Sequence, residues 1–162
     1  MTQNKLGVLI GVDQDSEERL IKIQNYIYDQ GFNGTQMKSF PYYILAKTTA
    51  YDNKVKMINL LLEFEQYKAF TLYIDKPVIT DDLSHLALHC QFNQGLHDLL
   101  DQLCSEINKA EIILLKDDHE LIEQAYQQLS LVFEPFTVTI NKLHLYDIDA
   151  PQHLLTVELV ST

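Results

Sequence analysis

Apolar and polar positions recur along this chain with two periods, and the switches between them divide it into strands and helices. Lys5 to Val12 is mostly apolar and predicts a strand, and Asp15 with Glu18 three residues later makes a capping-box pattern that opens a helix. The apolar positions of that helix, Leu20, Ile23 and Ile27, keep helical spacing until Gly31 supplies a stop. Phe32 to Ser39 holds Gly34 and polar residues and predicts a loop, whereas Phe40 to Lys47 is aromatic and β-favouring around Pro41 and predicts a strand. Asp52 is placed to cap a second helix, with Val55, Ile58, Leu61 and Leu62 on one face, that runs to about Tyr67. Phe70, Leu72 and Ile74 then alternate with Thr71, Tyr73 and Asp75, the period of a strand with one buried face, and Lys76-Pro77 begins its exit.

The second half repeats this order. Leu83 to Phe92 predicts a strand, Leu96, Leu99, Leu100, Leu103 and Ile107 an amphipathic helix, and Ala110 to Leu115 a strand. A helix from about Asp118 to Leu129, a strand from Phe136 to Ile140 and a last strand at Leu154 to Val160 complete it. The expected fold is therefore mixed α+β: one bilobal domain over residues 1–162, with β-α-β-α-β lobes at about 5–75 and 83–160. Two sheets containing antiparallel strands would surround a central cleft, with helices outside. Ligands sit in such clefts more often than elsewhere.

Composition narrows the function classes. With 46% hydrophobic and 22% charged residues, the 162-residue chain belongs to the globular range. Its longest apolar runs, such as Ile58 to Leu62 and Ile112 to Leu115, fall far short of the roughly 18 to 20 residues of a membrane span. The formal net charge of −11 repels phosphate on average, which disfavours nonspecific nucleic-acid binding, and Arg19 is the single arginine among scattered lysines. Two cysteines, Cys90 and Cys104, lie inside apolar patterns; with no leader pattern at Met1 to Lys5, they point to a reducing compartment, the cytoplasm.

Several stretches carry the chemistry to be tested. Lys5-Leu6-Gly7-Val8-Leu9-Ile10, Phe40-Pro41-Tyr42-Tyr43-Ile44-Leu45 and the close from Phe136-Thr137-Val138 through Leu143-His144-Leu145-Tyr146 to Leu155-Thr156-Val157-Glu158-Leu159 resemble the first strand, the Pro-His-x-Thr-Leu strand and the terminal hairpin of the 2H phosphoesterase superfamily. That superfamily includes LigT-like 2′-5′ RNA ligases and cyclic phosphodiesterases. The resemblance implies two His-x-Thr/Ser motifs facing each other across the cleft, one histidine as general base and the other as general acid. Residues two apart in a strand share a face, so imidazole and hydroxyl reach one phosphate together, and imidazole titrates near neutrality.

Here the first motif falls on Tyr42 and Ile44. The second falls on Ala110 and Ile112 or, in the other register, on Glu111 and Ile113. None is a histidine, and none of the six histidines is followed two residues later by Ser or Thr. The expectation is a degenerate member without that phosphodiester chemistry, which binds a small phosphorylated ligand or a protein and needs no metal or other cofactor. Two alternatives stand beside it. One is an active phosphoesterase on 2′,3′-cyclic or 2′-5′ phosphodiesters that uses relocated residues such as His89 and His144. The other is an assembly subunit of ferredoxin-like modules, and so a homo-oligomer.

Tyr42, Tyr43, Lys47, His89 and His144 are the candidate cleft-lining residues, with Tyr42, Tyr43 and Tyr51 offering a wall on which a base could stack. His85 and His89 share a strand face, with Asp81 and Asp82 as the nearest carboxylates. Asp117-Asp118-His119-Glu120 has metal-binding side chains but sits where acidic residues favour a helix start. The five glycines form no phosphate-binding loop pattern.

Overall fold

The structure, a computed structural model, describes residues 4–34 and 42–161. Its strands are β1 (Lys5–Val12), β2 (Tyr43–Ala50), β3 (Phe70–Ile79), β4 (His85–Cys90), β5 (Ala110–Lys116), β6 (Phe136–Asp147) and β7 (Gln152–Glu158). The helices are α1 (Gln14–Asp29), α2 (Lys54–Leu62), α3 (Gln94–Gln102) and α4 (His119–Val132), with short 3-10 turns on either side of α2. The expected order, β-α-β-α-β twice and then one strand, is the order found. Part of the predicted strand from Phe40, with Pro41, lies outside the described residues.

Local chemistry shifts several boundaries. Asp13, not Asp15, caps α1, its carboxylate accepting from the Ser16 amide at 2.9 Å. Asp52 lies in a 3-10 turn and caps nothing, because α2 starts only at Lys54. Asn93 caps α3 by accepting from the Leu96 amide at 3.0 Å, and the helix closes where Cys104 takes a φ of 55°, which leaves Ile107 outside it. β3 continues through Pro77 to Ile79 instead of ending at Lys76. Its ladder with β6 stops at Ile74, so among the described residues the rest of β3 has no strand partner on that side, where a residue without an N–H is tolerated.

The strands run in the order β2-β1-β6-β3-β4-β5, with β7 also on β6, and all of these ladders are antiparallel. The two expected sheets are thus branches of one, joined by β6. Residues Phe136 to Ile140 of β6 pair with β3, and the stretch from Ile140 to Asp147 pairs with β1 and, from Lys142, with β7. A register shift at Asn141 separates the two stretches. It breaks the alternation, and this is why the sequence pattern ends the strand at Ile140.

One core fills the helix-packed side. Leu6, Val8 and Ile10 of β1, Leu72 and Ile74 of β3, Leu86 and Leu88 of β4 and Ile112 of β5 are buried there with Leu20, Leu61, Leu99 and Ile122 of the helices. Each such side chain contributes about 1.5 to 3 kcal/mol through burial. Polar links join β2 and β5, the two ends of the strand order, to elements across the fold. The Gln24 amide of α1 donates to the Leu114 carbonyl of β5 and its oxygen accepts from the Tyr42 hydroxyl, while the Ser105 hydroxyl donates to the Ala46 carbonyl of β2. No helix among the described residues is long and apolar enough to cross a membrane.

Candidate ligand-binding face

Strand register assigns every side chain to the helix-packed face or to the opposite, open face. On the open face, Gly7, Leu9 and Gly11 of β1 lie opposite Tyr146, His144 and Lys142 of β6. The glycines make room for these neighbours. A Cβ on Gly11 would lie 2.7 Å from Lys142 Cγ and 3.0 Å from His144 Nε2, and one on Gly7 would lie 3.1 Å from Ile148 Cδ1. Leu9, Tyr146 and His144 are buried between them. Tyr43 of β2 stands on the other side of Gly11.

Two imidazoles share one hydroxyl at this point. His144 Nδ1 is 2.9 Å and His153 Nε2 2.7 Å from Thr156 Oγ1, with the rings edge to face at 5.6 Å. A threonine hydroxyl has one proton, so it donates to one ring at a time and can accept from the other. Burial, then the neighbouring His153 and Lys142, push the His144 imidazolium pKa down to about 4, so the ring is neutral at pH 7. Burial and Tyr146 raise the Tyr43 phenol above its ordinary value. This branch therefore offers an ammonium at Lys142, a neutral imidazole and aromatic rings.

On the β3–β5 branch, a bulge at Asp75 turns its carboxylate onto His89, with Asp75 Oδ1 2.7 Å from His89 Nδ1. Gln91 Nε2 donates to the other oxygen at 3.3 Å. Burial raises the Asp75 pKa, but the hydrogen bonds from His89 and Gln91 outweigh it and leave the carboxyl below its usual value. Lys76 and Glu111 are the cross-strand neighbours of His89 on either side, which gives a row Lys76–His89–Glu111 over β3, β4 and β5.

Of the residues singled out in the sequence, Tyr43, His89 and His144 reach the open face. Tyr42 does not: it is buried on the helix-packed side with Ile44, and burial, Tyr28 and Glu17 hold its phenol up at about 12. Lys47 turns the same way and donates to the Leu103 carbonyl at 3.0 Å, because a register shift beside Leu45 sets it opposite Val8 of the core face. On β5, Ala110 and Ile112 are buried in the core, so Glu111 and Ile113 are the open-face pair. In either register of either strand, the motif positions hold phenol, carboxylate or hydrocarbon and no imidazole.

The remaining candidates have local roles. His85 bonds Asp82 and Ser84 in the turn before β4, Tyr51 lies in a 3-10 turn beside Lys54, and Asp118 sits at the N-cap of α4. No group of three potential metal ligands occurs among the described residues. Sequence reading missed Asp75, Lys142, Tyr146 and Thr156; the alternation of Phe70 to Asp75 was a usable signal for Asp75, since it put that side chain on the polar face.

Three solved structures share this arrangement. One described as a phosphoesterase superposes with a TM-score of 0.67 at 16% identity over 98% of this chain and 99% of that chain. LigT of E. coli complexed with ATP gives 0.63 at 17%, with 98% and 99% covered. TT0787 of Thermus thermophilus gives 0.65 at 9%, with 96% and 97% covered. The chain has a LigT-like fold. This is the fold that the resemblance to the 2H phosphoesterases implies. No family model and no curated protein matches the sequence. Tyr43, Leu45, Glu111 and Ile113 are the β2 and β5 side chains on the open face.

Proposed function

We propose that this chain is a degenerate 2H phosphoesterase-like protein, a single bilobal domain that holds a small phosphorylated ligand on its open face and lacks the paired-histidine phosphodiester chemistry. The observation that carries this reading is the pair of strands β2 and β5, whose open-face positions are Tyr43, Leu45, Glu111 and Ile113. Without an imidazole on either strand there is no proton shuttle at the motif positions; each missing acid or base removes a factor of about 10² to 10⁴.

Binding has separate support. LigT of E. coli, with the same fold, was crystallised with ATP, NADP+, phosphate and 3′-AMP. In this chain, Lys142 supplies a cation beside Gly11, neutral His144 a hydrogen-bonding ring, and half-buried Tyr43 a flat surface for a base, where stacking is worth about 1 to 3 kcal/mol. Cys90 is buried and Cys104 exposed, both as free thiols, in keeping with the cytoplasm.

Calorimetric titration with 3′-AMP, ATP and inorganic phosphate tests the reading. The expected result is saturable binding that Lys142→Ala and Tyr43→Ala each weaken about tenfold, equivalent to 1.4 kcal/mol. Absence of binding at millimolar ligand would sink it, as would turnover of a 2′-5′-linked substrate that disappears on Tyr43→Phe.

A further inference from the structure

We propose that a cavity between α1 and α4, on the side of the sheet away from the open face, binds a small carboxylate with an apolar body, an acyl chain or an aryl ring. This site stands apart from the phosphorylated-ligand reading and does not depend on it.

The end of α4 makes the cavity. The helix stops at Val132, where Phe133 takes an extended backbone with φ −68° and ψ 132°, and Pro135 follows two residues later. A proline there cannot continue a helix and keeps the residue before it extended. The chain therefore turns into β6 and leaves about 480 Å³ beside α1, within the range of small-molecule sites. Ile23 and Tyr26 of α1 and Leu129 of α4 line it, with the rings of Phe133 and Phe136 tilted at 56° and their centroids 6.1 Å apart. Phe136 shares strand parity with buried Val138 and Ile140, which puts the cavity on the helix-packed side. Protein interiors are close-packed, so an apolar space of this size is contact area left for a ligand.

Charge selects the ligand. Arg19 and Lys22, three residues apart on α1, line the same cavity, and among the described residues neither makes an ion pair. Arg19 is the single arginine of a chain with a net charge of −11, so this rim reverses the local sign. Glu134 also lines the cavity, and the carbonyl end of α4 adds partial negative charge. Two cations against one carboxylate and a helix end suit a single negative charge and disfavour a phosphate dianion. A guanidinium holds a carboxylate through two parallel N–H bonds. Val132, 53% exposed in the cavity wall, is apolar surface that the ligand covers.

The test is calorimetric titration of the full chain with octanoate and with naphthoate, using octanol and naphthalenemethanol as uncharged controls. Saturable binding is expected from at least one acid, about tenfold or more tighter than its alcohol, and the acid that binds assigns the acyl or the aryl class. Arg19→Gln and Lys22→Gln should each weaken it about tenfold. Val132→Glu, a change at an exposed position, should abolish it by repulsion. All three variants should bind 3′-AMP as the wild type does, because the open face lies across the sheet. Failure of both acids to saturate overturns the proposal, as does equal affinity for acid and alcohol or full affinity in the Arg19→Gln, Lys22→Gln double variant. A dimer in light scattering that Val132→Glu dissolves would give the cavity to a second copy of the chain and overturn it too. Absence of 3′-AMP binding strikes only the open-face reading.

Discussion

Replacing Tyr42 with phenylalanine removes one hydroxyl from a buried chain of bonds that runs through Gln24 to the Leu114 carbonyl. The Gln24 oxygen then loses its donor, so Tyr42→Phe should destabilise the fold by about 1 to 3 kcal/mol in urea titrations and leave ligand affinity unchanged. His144 makes the second residue-scale prediction. Its folded-state pKa of about 4 lies below the ordinary 6.5, so the neutral ring contributes stability that is complete above pH 6.5 and is lost as pH falls through 4. The shift corresponds to about 3 kcal/mol, and His144→Gln should flatten the stability–pH curve between those limits. Which tyrosine reaches the open face was only half legible. Tyr42 and Tyr43 are adjacent and chemically alike, and a one-residue difference in register exchanges the faces of a strand. Composition carries no information about that parity.

At the scale of elements, β1 is buried along Leu6 to Val12 and carries two glycines where neighbouring side chains cross it. Gly11→Ala would push a methyl to within 2.7 Å of Lys142 Cγ and 3.0 Å of His144 Nε2, so it should cost about 1 to 3 kcal/mol of stability and weaken 3′-AMP binding, as read by thermal melts and calorimetry. The existence and order of the elements were legible because apolar residues recur with periods of 3.6 and 2. Their ends were not. β6 outruns its own alternation because a bulge at Asn141 absorbs the extra residue, β3 passes through Pro77 because one of its edges has no strand partner there among the described residues, and α3 stops before Ile107 because Cys104 leaves helical backbone. Each boundary depends on a partner strand or a backbone angle rather than on local composition.

For the whole molecule, the decisive element is β6, which belongs to both branches of the sheet. The repeated order of elements was legible, but strand sharing is a long-range property that the sequence does not display. The candidate site was legible by chemistry at Tyr43, His89 and His144 and hidden at Asp75, Lys142 and Thr156, because those three matter only through cross-strand neighbours. The chain is acidic overall, at −11, so the lysines at 76 and 142 are the local exceptions by which a phosphate could be drawn to this face.

The central claim, that a phosphorylated ligand occupies the open face, is tested most directly by mapping amide and imidazole NMR shifts during a titration with 3′-AMP. The account predicts saturable shifts clustered at Leu9, Gly11, Tyr43, Lys142 and His144, with the helix-packed Tyr42 and Ile44 shifting far less. Shifts confined to the helices, or none up to millimolar ligand, would contradict it.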